Sequence, residues 1–287
     1  YCNHGNGLLA PVVDSSEVPV ADRNHIPRPD LDGVLAEALS RNLRLLLVGD
    51  AGCGKSSGVV QFAARLGWPL RRVNLNGETG VSEFVGQWVV RGQDMHYQEG
   101  VLPQALRRGE ILLLDEIDAA QPEVLFVLQA VLEGEALFLA DTNSRIAPHP
   151  DFRVIATANS IGDDSGLYAG AKTPNAATLD RWDIVHRVGY PDAQAEAAMI
   201  ARRSGINPAT AQAVVGFFAD LREAATRGDL TGPFSTRRAL AFAGLLHRHC
   251  DPTLALRLAL TDRLISDERS IVGEIAQRHF AQDPKDA

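Results

Sequence analysis

Residues 49–56 read Gly49-Asp50-Ala51-Gly52-Cys53-Gly54-Lys55-Ser56 and lie between a run of apolar residues and a stretch with helical spacing. This octapeptide satisfies the pattern GxxxxGK[ST]. Its glycines let backbone N–H groups turn toward phosphate oxygens, and the positive end of the following helix adds to the attraction. The stretch therefore predicts a P-loop between a β-strand and an α-helix. A glycine-rich turn that matches by chance is the alternative, and the flanking strand and helix patterns disfavour it.

The P-loop predicts an ATP-binding site that requires Mg²⁺. We expect Lys55 to reach the β and γ phosphates and the hydroxyl of Ser56 to bind the metal ion. Cys53 is interpreted as a small loop residue, with a regulatory thiol as the alternative. The predicted nucleotide-binding residues are Gly49, Asp50, Ala51, Gly52, Cys53, Gly54, Lys55, Ser56 and Ser57.

Residues 111–116, Ile-Leu-Leu-Leu-Asp-Glu, form an apolar run that ends in two adjacent carboxylates. The pattern is typical of a Walker B strand. Asp115 would hold Mg²⁺, directly or through water, and Glu116 would polarise the water that attacks the γ-phosphate. Adjacent acids at a strand end also occur as solvated turn residues, but downstream of a P-loop the catalytic interpretation is favoured.

Residues 154–159, Val-Ile-Ala-Thr-Ala-Asn, form a further apolar strand that ends in a polar residue. Asn159 would orient the attacking water or contact the γ-phosphate. The alternative is that Asn159 only forms a turn.

Short apolar runs alternate with helical patterns up to residue 190, and helical patterns alone follow. This order predicts an α/β fold, a P-loop core with a parallel five-stranded sheet covered on both faces, followed by a small all-helical lid domain. We predict an irregular N-terminal arm at 1–26, an α/β nucleotide-binding domain at 27–190 and a helical lid at 191–287. The predicted strands are 43–48, 70–75, 111–114, 152–156 and 184–188, and the predicted lid helices are 194–204, 209–227, 236–248, 254–265 and 270–280.

Composition narrows the classes of function. The formal net charge of −8 and the pI near 5.5 argue against a protein that binds by neutralising nucleic-acid phosphates. The 3 cysteines are too few and too scattered for a disulfide framework or a metal-binding pattern. No apolar run is long enough for a membrane span. We therefore expect a cytoplasmic protein without a membrane span, for which nucleic acid is an unlikely partner.

The three motifs, in this order, resemble the AAA+ superfamily, and the sequence between them resembles its MoxR-type branch, which includes the cobaltochelatase ATPases and the CbbQ/NorQ proteins. The resemblance covers the chain from about residue 27 to its end. Similarity to the cobaltochelatase ATPases is greatest at Thr157-Ala158-Asn159, Gly166-Leu167-Tyr168 and Leu179-Asp180-Arg181-Trp182.

The resemblance implies further roles. Arg181 resembles the arginine finger that enters the neighbouring subunit's site. Arg237, in Phe-Ser-Thr-Arg, resembles the sensor-2 arginine of the lid, although relatives carry Ser-Pro-Arg there, which leaves Arg238 as the alternative. Residues 86–100 and 135–148 resemble inserted hairpins that face a pore or partner, and plain surface hairpins are the alternative.

The family also implies a homo-oligomeric ring, expected to be a hexamer, that remodels a client together with a partner carrying a von Willebrand factor A domain. A narrower hypothesis is the ATPase subunit of a cobaltochelatase, which drives Co²⁺ insertion into a corrinoid precursor. Two other classes are a nucleic-acid motor or clamp loader, disfavoured by the charge, and a nucleotide-gated structural component, disfavoured by Glu116 and Arg181.

Overall fold

Strand β3 (Leu45–Val48) and strand β7 (Ile111–Asp115) consist of residues that are all buried. Such continuous apolar strands belong inside a parallel sheet with both faces covered. The computed structural model describes residues 2–3, 9–10, 16–161, 179–249 and 251–280. The stretch Gly166-Leu167-Tyr168 lies outside the described residues, as does most of the predicted N-terminal arm before residue 16.

The described residues contain one five-stranded sheet, and every pairing in it is parallel. Its strand order is β11-β3-β10-β7-β4. The other sheets of the described chain are antiparallel pairs: β1 with β2, β5 with β6, and β8 with β9. The predicted α/β fold with a parallel five-stranded sheet is therefore confirmed. The strands not yet delimited are β1 (Cys2–Asn3), β2 (Leu9–Ala10), β4 (Leu70–Asn74), β5 (Gly86–Arg91), β6 (Asp94–Glu99), β8 (Leu137–Leu139), β9 (Ser144–Ile146), β10 (Arg153–Ala158) and β11 (Ile184–Arg187).

The chain divides into two compact units. The first comprises Tyr1–Asp22, Pro27–Gly49 and Lys55–Val188, and the second comprises Arg23–Ile26, Asp50–Gly54 and Gly189–Ala287. Described helices of the first unit are α1 (Pro29–Arg41), α2 (Lys55–Leu66), α3 (Val81–Val85), α4 (Val101–Arg108) and α5 (Pro122–Leu132). Those of the second unit are α6 (Ala193–Ser204), α7 (Pro208–Thr226), α8 (Thr236–His249), α9 (Pro252–Ala259) and α10 (Ser266–Phe280).

Each unit has its own hydrophobic core. In the first unit, apolar side chains of β3, β7 and β10 pack with those of α4 and α5. In the second unit, aromatic side chains form the centre, where Phe217 contacts both Phe218 and Phe242 with ring centroids 5.4 and 5.7 Å apart. The C-terminal region is thus helical among its described residues, as predicted.

Local capping explains where several helices of the second unit begin. The side chains of Asp192, Asn207 and Asp251 each accept a backbone N–H from the first turn of α6, α7 and α9. Predicted helix 254–265 is divided in the structure, and predicted helix 270–280 begins earlier, at Ser266. Leu260 leaves the helical region with φ −129° and ψ −63°, so α9 ends at Ala259 and a 3₁₀ turn, Thr261–Arg263, separates it from α10.

Both predicted hairpins are present. Strands β5 and β6 pair from Gly86 with Glu99 to Arg91 with Asp94, and β8 and β9 pair from Leu137 with Ile146 to Leu139 with Ser144. No helix in the described part of the chain has the length and apolar character needed to cross a membrane.

Candidate functional site

The P-loop follows β3 and leads into α2 at Lys55. Gly52 and Gly54 have φ angles of 78° and 103°, a region that glycine enters readily and other residues rarely adopt. The N–H of Gly49 donates to the carbonyl of Ala158, 3.2 Å away, which ties the start of the loop to β10. The loop therefore has the backbone freedom that a phosphate-binding turn requires, at the positively polarised end of a 12-residue helix.

Lys55 and Asn159, 104 residues apart in sequence, meet at the end of the sheet. Lys55 is 6% exposed, and its ammonium group donates to Asn159 Oδ1 at 3.2 Å and to the carbonyl of Gly49. Because buried ammonium groups require hydrogen-bond partners, this contact holds the lysine at the mouth of the loop. The two predicted phosphate-contacting side chains thus lie side by side.

Asp115 is the centre of a second cluster. Its carboxylate is buried, and its Oδ1 atom accepts hydrogen bonds from Ser56 Oγ at 2.5 Å and Thr157 Oγ1 at 2.8 Å. Its Oδ2 atom accepts from Arg72 Nε. The carboxylate and the Ser56 hydroxyl are hard oxygen groups of the kind that Mg²⁺ prefers. The predicted metal-binding pair is therefore brought together.

Glu116 lies next to Asp115 but in a different environment. It is exposed, and its backbone has φ 58° and ψ 46°, the left-handed region that costs a non-glycine residue about 1 kcal/mol. The N–H of Glu116 donates to Thr157 Oγ1 at 3.3 Å, and its carbonyl accepts the N–H of Ala119 at 2.9 Å. The turn thus presents one carboxylate to solvent directly after a buried one.

Arg181, the predicted finger, belongs to the first unit, where its Nε atom donates to Glu133 Oε1 at 2.9 Å. Glu133 follows the C-terminal end of α5. Arg181 therefore lies beside α5 within its own chain.

Arg237 lies in the first turn of α8, in the same compact unit as the P-loop segment Asp50–Gly54. A Cβ atom placed on Gly52 would come within 2.7 Å of the Ser235 Cβ and 3.5 Å of the Arg237 Cβ. Of the two candidate arginines, Arg237 is therefore the one whose Cβ lies close to this glycine.

Three residues of the site were not predicted from the sequence: Arg72, Thr157 and Asp118. Thr157 is opposite the end of β7 because β10 pairs with β7 in parallel, and Arg72 reaches Asp115 because β4 flanks β7. Both contacts with Asp115 depend on the order of the strands in the sheet. The sequence offered one signal, the hydroxyl residue Thr157 within the otherwise apolar run 154–158.

Comparison with known proteins agrees with this geometry. Residues 44–181 match the family described as AAA domain (dynein-related subfamily), and residues 196–278 match the family described as CbbQ/NirQ/NorQ C-terminal. The aerobic cobaltochelatase subunit CobS of Sinorhizobium sp is 34% identical over 281 residues, which cover 94% of this chain and 85% of that protein.

Two further similarities are more distant. The von Willebrand factor A domain-containing protein 8 of Mus musculus is 30% identical over 210 residues, which cover 68% of this chain and 11% of that protein. Among solved structures, the Holliday junction branch migration motor RuvB of Thermotoga maritima superposes with a TM-score of 0.51 at 16% identity, covering 94% of this chain and 76% of that one. This last likeness concerns the fold alone.

Proposed function

We propose that this chain is the ATP-hydrolysing subunit of a ring that remodels or activates a client protein. The chain belongs to the MoxR-type AAA+ ATPases. The observation that carries the proposal is the convergence of Lys55, Ser56, Asp115 and Asn159 at one end of the parallel sheet. They come from the start of α2 and the ends of β7 and β10, and hydrogen bonds or adjacent positions in the chain link them into one continuous set.

The proposed binding roles follow from charge and position. Lys55 and the backbone N–H groups of Asp50–Gly54 bind the phosphates, with Ser57 continuing the first turn of the helix. Ser56 and Asp115 would hold Mg²⁺, since a hydroxyl and a carboxylate, both hard oxygen groups, meet directly after the P-loop. When bound, Mg²⁺ neutralises charge that develops on the phosphate oxygens.

The proposed catalytic roles belong to side chains around that centre. Glu116 accepts the proton of the attacking water, and Asn159 orients that water or the γ-phosphate. Arg181 acts on the γ-phosphate in the neighbouring subunit's site, and Arg237, on the lid, contacts the bound nucleotide. In this proposal Arg181 exchanges its contact with Glu133 for the neighbour's phosphate when the ring forms.

Exposed apolar side chains on the hairpins support a role in client contact. Trp88 and Val90 are partly to largely exposed and oppose Tyr97 and Met95 on the same face of the β5–β6 pair. Phe138 on β8 is also exposed. Apolar groups held in solvent by a hairpin mark interaction surfaces. A partner with a von Willebrand factor A domain is supported by the relative that carries such a domain by name.

A second candidate is the ATPase subunit of a cobaltochelatase. It is favoured by the similarity to CobS, which extends over 94% of this chain. Replacing CobS by this chain in a reconstituted cobaltochelatase tests it: Co²⁺ insertion into the corrinoid precursor, lost with Glu116→Gln, would support this narrower function. Absence of insertion, with ATPase activity intact, would leave the general remodelling function.

The experiment that tests the proposed function is steady-state ATPase activity as a function of protein concentration, with mass photometry on the same samples. We expect turnover per subunit to rise steeply as rings form, because each site needs a neighbour's Arg181. Turnover that is independent of concentration and of assembly would refute a shared site. DNA-stimulated, salt-sensitive turnover would instead indicate a nucleic-acid motor, against the net charge of −8.

A further inference from the structure

Asp118 is a buried carboxylate that none of the proposed roles uses. It lies in the 3₁₀ turn Ile117–Ala119, directly after Glu116, and is 3% exposed. Burial of an ionisable side chain is unfavourable unless the group is hydrogen-bonded, so the contacts of this residue require an explanation.

The carboxylate joins the ends of two neighbouring strands. Its Oδ2 atom accepts the backbone N–H of Asn159 at 3.0 Å and of Ser160 at 3.3 Å, the two residues that follow β10. Asp118 itself follows β7, and β7 and β10 are adjacent in the sheet. One oxygen atom therefore holds the backbone at Asn159 at a set distance from the turn that contains Glu116.

That turn is stiff on its other side as well. Glu116 is held in its left-handed conformation by its hydrogen bonds with Thr157 and Ala119. Thr157 in turn donates to Asp115. Thr157 therefore ties the turn to β10, and Asp118 adds a second tie two residues further along, at the backbone of Asn159 itself.

The second carboxylate oxygen, Oδ1, is buried and has no hydrogen-bond partner among the described residues. An unsatisfied buried polar atom destabilises a fold by about 1–3 kcal/mol. The buried acid thus has a cost in stability at this position.

We propose that Asp118 is a positioning residue for ATP hydrolysis: by accepting both N–H groups it fixes Asn159 relative to Glu116 and Lys55. This inference rests on the proposed function, in which Asn159 and Glu116 act on the same water. The Asn159 side chain is already 3.2 Å from Lys55 Nζ, so a shift of its backbone would alter both contacts. Asp118 does not contact substrate in this role.

The test is the Asp118→Ala variant, with ATPase kinetics, nucleotide affinity and ring assembly measured on the full chain. A misplacement of about 1 Å lowers turnover up to about 100-fold, so we expect kcat to fall about 10- to 100-fold. The KM for ATP and the affinity for a fluorescent ATP analogue should change less than about threefold, since Lys55 and the P-loop backbone remain. If Asp118 acted on nucleotide binding instead, KM and affinity would change before kcat.

Asp118→Asn is the rescue variant, because its amide oxygen accepts the same two N–H groups. We expect its kcat to lie within about threefold of the unmodified protein. The matched control is Asp141→Ala, since Asp141 is also the middle residue of a 3₁₀ turn, Ala140–Thr142, but is exposed. It should leave kcat unchanged.

The outcomes separate this inference from the proposed function. If Glu116→Gln abolishes turnover but Asp118→Ala hydrolyses ATP at the unmodified rate, the function stands and the positioning role is wrong. If Asp118→Ala does not fold, Asp118→Glu decides: it keeps the acceptor but moves it by one methylene. A folded, ATP-binding Asp118→Glu protein with full kcat would overturn the inference, and one with reduced kcat would support it.

Discussion

At the scale of single residues, the site combines a buried acid with an exposed one. Asp115 is enclosed by Ser56, Thr157 and Arg72, whereas Glu116 is exposed after a left-handed turn. The first arrangement suits a group that is held in position, and the second suits a group that contacts water. The different roles proposed for the two carboxylates therefore correspond to a difference in burial, which follows from the backbone conformation at Glu116.

Glu116→Gln removes the proposed base without changing its size. We expect kcat for ATP to fall at least about 100-fold, in line with the usual contribution of a positioned base. Binding of a fluorescent ATP analogue should persist, because Lys55 is unchanged. ATP hydrolysis at the unmodified rate would show that another group accepts the proton.

Arg72→Ala removes the cation paired with Asp115. The arginine side chain is 54% exposed, so the pair is worth up to about 1 kcal/mol after solvent screening. The guanidinium would compete with Mg²⁺ for the carboxylate in the proposed metal site, so we expect the half-saturating Mg²⁺ concentration for nucleotide binding to fall by up to about fivefold. Arg107→Ala, which removes another half-exposed arginine paired with an acid, Glu99, is the control. An unchanged or higher Mg²⁺ requirement would contradict this competition.

Gly52→Ala tests the close approach of α8 to the P-loop. The added Cβ would lie 2.7 Å from the Ser235 Cβ, and the alanine would also have to adopt the φ angle of 78° that Gly52 has. Gly67→Ala is the matched control, since Gly67 has φ 65° and nothing within 4 Å of the added atom. We expect both to lose about 1 kcal/mol of stability from the left-handed conformation. Only Gly52→Ala should also weaken nucleotide binding. Equal nucleotide affinities of the Gly52→Ala and Gly67→Ala proteins would show that the contact between Gly52 and Ser235 does not affect binding.

At the scale of elements, an ion pair joins three helices of the second unit. Glu196 on α6 is 1% exposed and accepts two hydrogen bonds from Arg222 on α7, at 2.6 and 2.8 Å, and one from the Thr236 hydroxyl at the start of α8. Arg222 also donates to the carbonyl of Phe234. The pair therefore holds the turn that begins α8, the helix that carries Arg237.

Arg222→Ala leaves the Glu196 carboxylate buried without its cation. We expect the second unit to lose about 3 kcal/mol of stability, measured by chemical denaturation followed by far-UV circular dichroism. Arg227→Ala, which removes a surface arginine paired with Glu223 near the end of the same helix, should leave the midpoint unchanged. Similar losses for the two variants would mean that the buried pair contributes no more than a surface pair.

At the scale of the whole molecule, the proposed catalytic set is divided between neighbouring subunits. Lys55, Asp115 and Asn159 are joined within one chain, whereas Arg181 contacts Glu133 of its own chain. This division would make hydrolysis depend on assembly, because a single subunit lacks the neighbour's Arg181, whose positive charge stabilises the transition state.

Arg181→Ala is expected to bind ATP normally and to lower kcat by about 1,000-fold. Mixed with Lys55→Ala protein, which cannot bind nucleotide but supplies an intact finger, it should recover part of the activity. Arg41→Ala, which removes an exposed arginine paired with Glu37, is the control. ATPase assays on the mixtures decide the point: no recovery in rings that contain both variants would exclude a finger acting between subunits.

The sequence by itself determined the parts of this protein that depend on local backbone chemistry. The P-loop needs glycines at φ angles other residues avoid, a buried strand needs a continuous apolar run, and a packed helix needs apolar residues at helical spacing. Each of these signals is visible within a short segment. The five-stranded parallel sheet and the helical C-terminal region followed from these signals. The end of α9 at Ala259 did not, because the leucine spacing of the following turn continues a helical pattern.

The tertiary structure alone decided which strand ends meet. Parallel strands are paired through connections tens of residues long, so the order β11-β3-β10-β7-β4 leaves no mark on any short segment. That order places Arg72 and Thr157 on Asp115, and Asp118 on the backbone of Asn159. The motif residues could be predicted because their chemistry requires particular side chains, whereas the residues that position them are defined by non-local packing.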